Sequence, residues 1–132
     1  MEYILDADWV INALAGKRGA SPLLRELRPS GIALSMVTIG ELYEGAFGAP
    51  DPHRRLLELR EFLSIFTVLP LTDPIMERFG RLRHQLRAQG NLIPDFDLLI
   101  AATALGLDLT VLTFNVRHFE RIPNLRLYPT GD

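Results

Sequence analysis

Short apolar runs alternate with longer amphipathic segments along the whole sequence. The apolar runs are rich in Ile, Leu and Val, and they predict four buried strands, at residues 3–5, 31–35, 66–69 and 109–112. The segments between them carry apolar residues at helical spacing, for example Ile75, Phe79, Leu82 and Leu86. Strands that alternate with helices form parallel sheets covered on both faces, so the pattern predicts a three-layer α/β/α fold with a mainly parallel sheet.

Capping signals mark where several helices begin and end. The segments Ser21-Pro22, Asp51-Pro52 and Thr72-Asp73-Pro74 each place a polar residue before a proline, which is typical of a helix start. A very apolar helix is predicted at residues 96–105 and is expected to stop at Gly106. A short turn or helix and a possible fifth strand at residues 125–128 follow, so the sheet is expected to have four or five strands.

The composition fits one domain, which we expect to span residues 1–132. The absence of cysteine excludes zinc-thiolate sites, iron–sulfur clusters, thiol nucleophiles and disulfide frameworks, and it fits a reducing, cytoplasmic location. Neither a signal peptide nor a membrane-spanning run is recognisable. The net charge of −2 gives no support to a basic, non-catalytic RNA-binding module, although an acidic pocket with a positive rim is compatible with it.

Polar residues follow three of the predicted strands. Asp6 and Asp8 come directly after the first strand, and Glu41 lies on the helix that follows the second strand. Thr113 and Asn115 follow the fourth strand. Open parallel sheets bind ligands at the carboxyl ends of their strands, so these side chains are expected to converge at one edge of the sheet.

A second acidic pair, Asp95 and Asp97, begins the apolar helix. If this helix start lies at the same edge, acids from distant segments share one pocket, where like charges repel and burial is costly. Mg²⁺ or Mn²⁺ relieves both problems, because these cations prefer oxygen ligands. Such an ion also makes a bound water a stronger nucleophile and stabilises charge on a phosphodiester. The acids therefore favour a metal-dependent nuclease.

Each of these residues also has a simpler structural interpretation. Asp6 can cap the first helix, and an N-cap is the simplest role for Asp95. Glu41 can be a solvated helical residue, although its neighbours are mostly apolar and a lone glutamate is unusual there. Asp97 suits a helix N-terminus but precedes a strongly apolar run, and a lone Asn115 is typical of a turn.

Four segments, at residues 4–11, 35–43, 97–104 and 112–119, carry a resemblance to a known family. In the same order, these segments read ILDADWVI, SMVTIGELY, DLLIAATA and LTFNVRHF. Together they resemble the PIN domain, and within it the VapC-type toxins of bacterial and archaeal toxin–antitoxin pairs. The third segment is the most specific, and the resemblance covers residues 3 to about 128.

The resemblance implies a PIN-like fold with catalytic acids at Asp6, Glu41 and Asp97 and with Mg²⁺ or Mn²⁺ as the cofactor. The family's fourth acidic position falls on Asn115, which departs from Asp and carries no charge. Asp95 is the residue that can partly compensate for this departure as a further metal ligand.

The resemblance also implies supporting residues. Asp8 stands where family members often carry Asn, and Thr113 corresponds to a hydroxyl that orients the site. Arg117 is the best single candidate for contact with the RNA backbone. Arg83 and Arg87 lie one turn apart on a helix, and they either contact RNA or simply form a solvated face.

The implied activity is endonucleolytic hydrolysis of RNA by a metal-activated water, without the 2′-hydroxyl as nucleophile. The implied partners are an RNA substrate, a cognate antitoxin and a second copy of the chain in a homodimer, with no membrane. This chemistry needs no histidine, so His53, His84 and His118 are expected to be surface or packing residues.

Two other functions stay open at this point. A PIN-like domain that binds RNA or protein without cutting is kept open by Asn115. A haloacid-dehalogenase-like phosphatase is suggested by residues 6–10, which fit its D-x-D-x-[TV] nucleophile motif. That chemistry needs a lysine well downstream of the motif, however, and the only lysine is Lys17.

Overall fold

Four short strands form one central sheet in the computed structural model, which describes residues 1–130. They are β1 (Tyr3–Leu5), β2 (Ile32–Ser35), β3 (Thr67–Leu69) and β4 (Thr110–Leu112). Their spatial order is β3-β2-β1-β4, and all three pairings are parallel. The predicted parallel sheet is therefore confirmed, with four strands. The last two residues of the predicted domain, at positions 131 and 132, lie outside the described part of the chain.

Seven α-helices connect and cover the strands in residues 1–130. They are α1 (Ala7–Leu14), α2 (Ala20–Leu27), α3 (Met36–Phe47), α4 (Pro52–Leu63), α5 (Asp73–Ala88), α6 (Asp95–Leu107) and α7 (Val116–Phe119). A single 3₁₀ turn at Arg28–Ser30 leads from α2 into β2. None of these helices is long and apolar enough to span a membrane.

Alternation along the strands creates two hydrophobic cores. Leu5 and Leu34 point to one face and pack with buried residues of α1, α2, α3 and α4. Ile4 and Ala33 point to the other face and pack with buried residues of α5, α6 and α7. Each fully buried leucine or isoleucine contributes about 1.5–3 kcal/mol relative to exposure, so the two cores fix the strand ends firmly. The structure thus has the expected three-layer α/β/α architecture.

The strands β2, β3 and β4 each begin one residue later than predicted. Helix α6 begins at Asp95 with Pro94 as its N-cap, so the N-cap role expected for Asp95 was wrong. Three further differences concern helix ends and the possible fifth strand. The helix expected from Ser21 begins at Ala20, because the carbonyl of Gly19 already accepts a hydrogen bond from the N–H of Leu23. The apolar helix passes through Gly106 and ends at Leu107, before Asp108 at a φ of 57°. The possible strand at residues 125–128 forms only one isolated bridge, between Val111 and Leu127.

Candidate functional site

The carboxyl end of β1 holds Asp6 in a buried position, with 6% of its surface exposed. Asp6 is the N-cap of α1, and its Oδ1 accepts a hydrogen bond of 2.8 Å from the backbone N–H of Ala7. Its own backbone N–H donates to the carbonyl of Leu112 at 2.9 Å. Asp6 is therefore a helix cap, as its simpler interpretation predicts. Its other carboxylate oxygen, Oδ2, lies beside the end of β4.

Thr113 ties the residues after β1 to the residues after β4. Its hydroxyl donates to Oδ2 of Asp6 at 2.8 Å and accepts from the N–H of Asn115 at 2.9 Å. The backbone N–H of Phe114 donates to Oδ2 of Asp8 at 2.9 Å. These bonds orient both aspartates from outside their own segment, and the supporting role of Thr113 in the reaction stays a prediction.

Asp97 enters the site from the first turn of α6, with 8% of its surface exposed. Its Oδ2 lies 2.6 Å from Nδ1 of His118, and that nitrogen lies 2.7 Å from the side-chain amide of Asn115. One nitrogen carries at most one proton, and an ionised carboxylate only accepts hydrogen bonds. We therefore assign the Nδ1 proton to the contact with Asp97, and a protonated Nδ1 then has no lone pair with which to accept a hydrogen bond from Nδ2 of Asn115.

Glu41 reaches the same acids from α3, in the second turn after β2. The pKa of the Glu41 carboxyl is raised to about 7, chiefly by burial and also by the charges of Asp6, Asp97 and Asp8. The Oε1 atom of Glu41 is buried and has no hydrogen-bond partner among the described residues. Glu41 is therefore a member of the acidic group and not a solvated helical residue.

Burial and mutual repulsion also act on the two aspartates after β1. The pKa of Asp8 is raised to about 7, chiefly by burial and also by the charge of Asp6. Burial is likewise the main cause of the raised pKa of Asp6, and the charge of Asp97 adds to it. We call Asp6, Asp8, Glu41 and Asp97 the carboxylate cluster. Its members are held together by the fold at an electrostatic cost that a cation would relieve.

The donor set of the carboxylate cluster fits a hard divalent cation. It offers carboxylate oxygens, and two of these atoms, Oδ1 of Asp8 and Oε1 of Glu41, are buried without a partner among residues 1–130. No three of the acidic or histidine side chains in this range form a complete cage for one ion. Mg²⁺ keeps several waters and takes only one or two carboxylates, so an open cluster of this kind suits it.

The other predicted site residues lie outside the carboxylate cluster. The Asp95 carboxylate is exposed over 58% of its side chain and forms a 2.9 Å ion pair with Nε of Arg83. Arg87 is exposed in the last turn of α5. Arg117 is also exposed, and it lines a groove of about 570 Å³ together with Phe114 and Asn115. Metal binding by Asp95 and RNA contact by the three arginines stay predictions.

His118 was not expected in the site, and placing it among the surface or packing residues was wrong. His53 and His84 are exposed, but His118 stands between Asp97 and Asn115. The signal in the sequence is its spacing, three residues after Asn115, which brings both side chains to one side of the short helix α7. That spacing alone does not reveal the contact with α6.

Comparison with known proteins gives one consistent answer. The PIN domain family matches residues 3–125. Ribonuclease VapC2 of Haemophilus influenzae is 34% identical over 127 residues, and tRNA(fMet)-specific endonuclease VapC of Salmonella typhimurium is 30% identical over 127 residues. Each alignment covers 96% of both chains. A chain in the crystal structure of DNA-bound VapBC2 from Rickettsia felis superposes with a TM-score of 0.90 at 29% identity, covering 97% of this chain and 98% of that one.

Proposed function

The chain belongs to the PIN-domain family, and on that premise we propose that it cuts RNA with Mg²⁺ or Mn²⁺ held by the carboxylate cluster. It is an endoribonuclease of the VapC type, the toxin of a toxin–antitoxin pair, and its partners are an RNA substrate and a cognate antitoxin. The observation that carries the proposal is the convergence of four acids from three separate segments, two of them with unpartnered buried oxygens. The match to this family leaves the phosphatase interpretation without support.

The residues of the chain have distinct roles in this reaction. Asp6, Glu41 and Asp97 would hold the cation, directly or through its waters, and the bound cation would activate water and offset charge on the phosphodiester. Thr113 fixes the orientation of Asp6 through its 2.8 Å hydrogen bond, and His118 fixes Asp97 through its 2.6 Å contact. Such restraint keeps the carboxylates in place as the substrate arrives, so no reorganisation is needed during the reaction.

The first experiment is cleavage of total cellular RNA by the purified, antitoxin-free chain with Mg²⁺, Mn²⁺ or EDTA. We expect discrete fragments with either metal and none with EDTA. The Asp6→Asn variant should not cut, because asparagine caps a helix as well as aspartate does but carries no charge for the cation. Asp73→Asn is the matched control, since Asp73 is an exposed aspartate in the first turn of another helix. It should cut at the rate of the unmodified chain.

One observation favours a second candidate function, binding without cutting. Asn115 lies in the site next to His118 and contributes no charge where the family has a fourth acid. If the folded chain binds RNA but produces no fragments with any metal, this second function replaces the first. An Asn115→Asp variant that gains metal-dependent cleavage would then identify the missing charge as the cause.

Asp95 gives a separate prediction, because it lies only two residues from Asp97 and yet outside the carboxylate cluster. We expect Asp95→Asn to retain cleavage within about threefold, since an exposed ion pair with Arg83 contributes only about 0–1 kcal/mol. Initial rates of the variant and the unmodified chain, measured side by side, check this. A hundredfold loss would instead place Asp95 among the metal ligands.

A further inference from the structure

Three side chains form a stack at the rim of the carboxylate cluster. Phe114 lies parallel to Trp9, with ring centroids 4.5 Å apart and an angle of 6° between the planes. The guanidinium carbon of Arg18 lies 3.8 Å from the centroid of the same Phe114 ring. The Trp9 ring and the Arg18 guanidinium are each so close to the Phe114 ring that they cannot lie on the same face of it. Phe114 is therefore held between Trp9 and Arg18. Trp9 is only 2% exposed, and it anchors the stack in the core.

The loop after α1 presents Arg18 in an unusual backbone conformation. Arg18 has a φ of 58°, between Gly16 at 67° and Gly19 at 66°. Glycine adopts such angles readily, but an arginine does so at a cost. Non-glycine residues held in this region cluster at functional sites, where the surrounding structure maintains them. The stack on Phe114 is the interaction that maintains Arg18 here.

The edge of the Arg18 guanidinium remains available to a ligand. Arg18 is exposed, and within residues 1–130 it takes part in none of the side-chain hydrogen bonds or ion pairs, unlike Arg83 with Asp95. Stacking uses only the flat face of the group, so its N–H donors still point outwards in the plane. Arg18 also lies next to the carboxylate cluster, because Phe114, on which it stacks, donates its backbone N–H to Oδ2 of Asp8 at 2.9 Å.

We propose that Arg18 binds a backbone phosphate of the RNA beside the bond that is cut, with Phe114 as the platform that orients the guanidinium. The N–H fork of an arginine matches a phosphate and forms paired hydrogen bonds with it. A cluster of acids repels RNA, so a fixed cation at its rim offsets this repulsion where the backbone enters. This inference rests on the proposed nuclease function and names the residue that positions its substrate.

The decisive test compares Arg18→Gln with Arg25→Gln. Both remove one positive charge, but Arg25 is an exposed residue in the last turn of α2 and takes no part in the stack. Binding of a fluorescein-labelled RNA that contains the cleavage site is followed by anisotropy in an Asp97→Asn background, where the RNA stays intact. We expect Arg18→Gln to weaken binding about tenfold and to reduce the slope of log K against log salt by about 0.7, the value for one single-strand phosphate contact. Arg25→Gln should change neither quantity.

A second variant separates binding from folding. Arg18→Gly suits the positive φ and should keep the thermal stability of the chain, yet it should lose RNA affinity as Arg18→Gln does. Trp9 is the only tryptophan, so its fluorescence reports whether the stacked ring keeps its environment in each variant. Equal affinity and equal salt slope for Arg18→Gln and Arg25→Gln would overturn the proposal. A chain that binds RNA through Arg18 but never cuts would support the phosphate site and contradict the nuclease.

Discussion

Replacing Asp97 with asparagine is expected to reduce the rate of RNA cleavage roughly a thousandfold or more. Asparagine has nearly the same size as aspartate, and its amide oxygen can still accept the hydrogen bond from Nδ1 of His118. What is lost is the negative charge that a divalent cation needs in this pocket. Because Asp97 adds to the repulsion on Asp6 and Glu41, the metal-free variant should also be at least as stable as the unmodified chain.

Initial cleavage rates and thermal melting of the same preparations test both parts of this prediction. Asp108→Asn is the matched control, since Asp108 is an exposed aspartate just after α6 and pairs with Arg126 at 2.8 Å. A loss of cleavage together with a fall in melting temperature would mean that Asp97 has a structural role. Activity within tenfold of the unmodified chain would show that Asp97 is not a ligand.

The layout of the fold is encoded locally, and for this reason the sequence was sufficient to predict it. Each strand is a short run of apolar residues, and Asp51 and Thr72 stand at the N-caps of α4 and α5 as their capping signals indicate. The differences arise where local signals compete. Gly106 suggests a helix stop, but α6 continues to Leu107 because the left-handed residue that ends it is Asp108, and the N–H groups of Asp108 and Leu109 both donate to the carbonyl of Ala104.

The site was predictable as far as the sheet determines it. The parallel order brings the residues after β1, β2 and β4 to one edge, so Asp6, Glu41 and Thr113 could be expected together. Asp95 and Asp97 could not be distinguished, because α6 is apolar on nearly every side and its periodicity does not show which acid faces inwards.

The two residues that the sequence did not reveal depend on contacts between distant segments. His118 reaches Asp97 across 21 positions, from α7 to α6. Arg18 reaches Phe114 from a loop that follows α1. In both cases the partner is fixed by tertiary packing, because the spacing of His118 to Asn115 does not show its contact with Asp97 and the neighbours of Arg18 do not show its contact with Phe114.

The metal-free chain is expected to lose stability as the pH rises from about 4 to about 7. In the unfolded chain the carboxyls of Asp8 and Glu41 release their protons near pH 4, but in the folded chain each has a pKa of about 7. Below pH 4 both states are protonated and the two groups have no effect. Between these values the folded state binds more protons than the unfolded state, so the free energy of unfolding falls with rising pH.

Thermal melting in EDTA at pH 5 and pH 8 measures this loss, and Glu41→Gln isolates the share of one carboxyl. Glu41 is partly exposed, so solvent screening reduces its contribution to about 1–2 kcal/mol, or about 5 °C in melting temperature. The variant should therefore melt about 5 °C higher than the unmodified chain at pH 8 and higher by a much smaller margin at pH 5. Glu61→Gln, a change at an exposed residue of α4, should melt at the same temperature as the unmodified chain at both pH values.

Mg²⁺ or Mn²⁺ should stabilise the unmodified chain more at pH 8 than at pH 5, because the cation binds the ionised carboxylates. If the metal-free chain had the same stability with and without the Glu41 carboxyl at pH 8, neither burial nor repulsion would penalise its charged form, and the electrostatic argument for a cation at this site would fail.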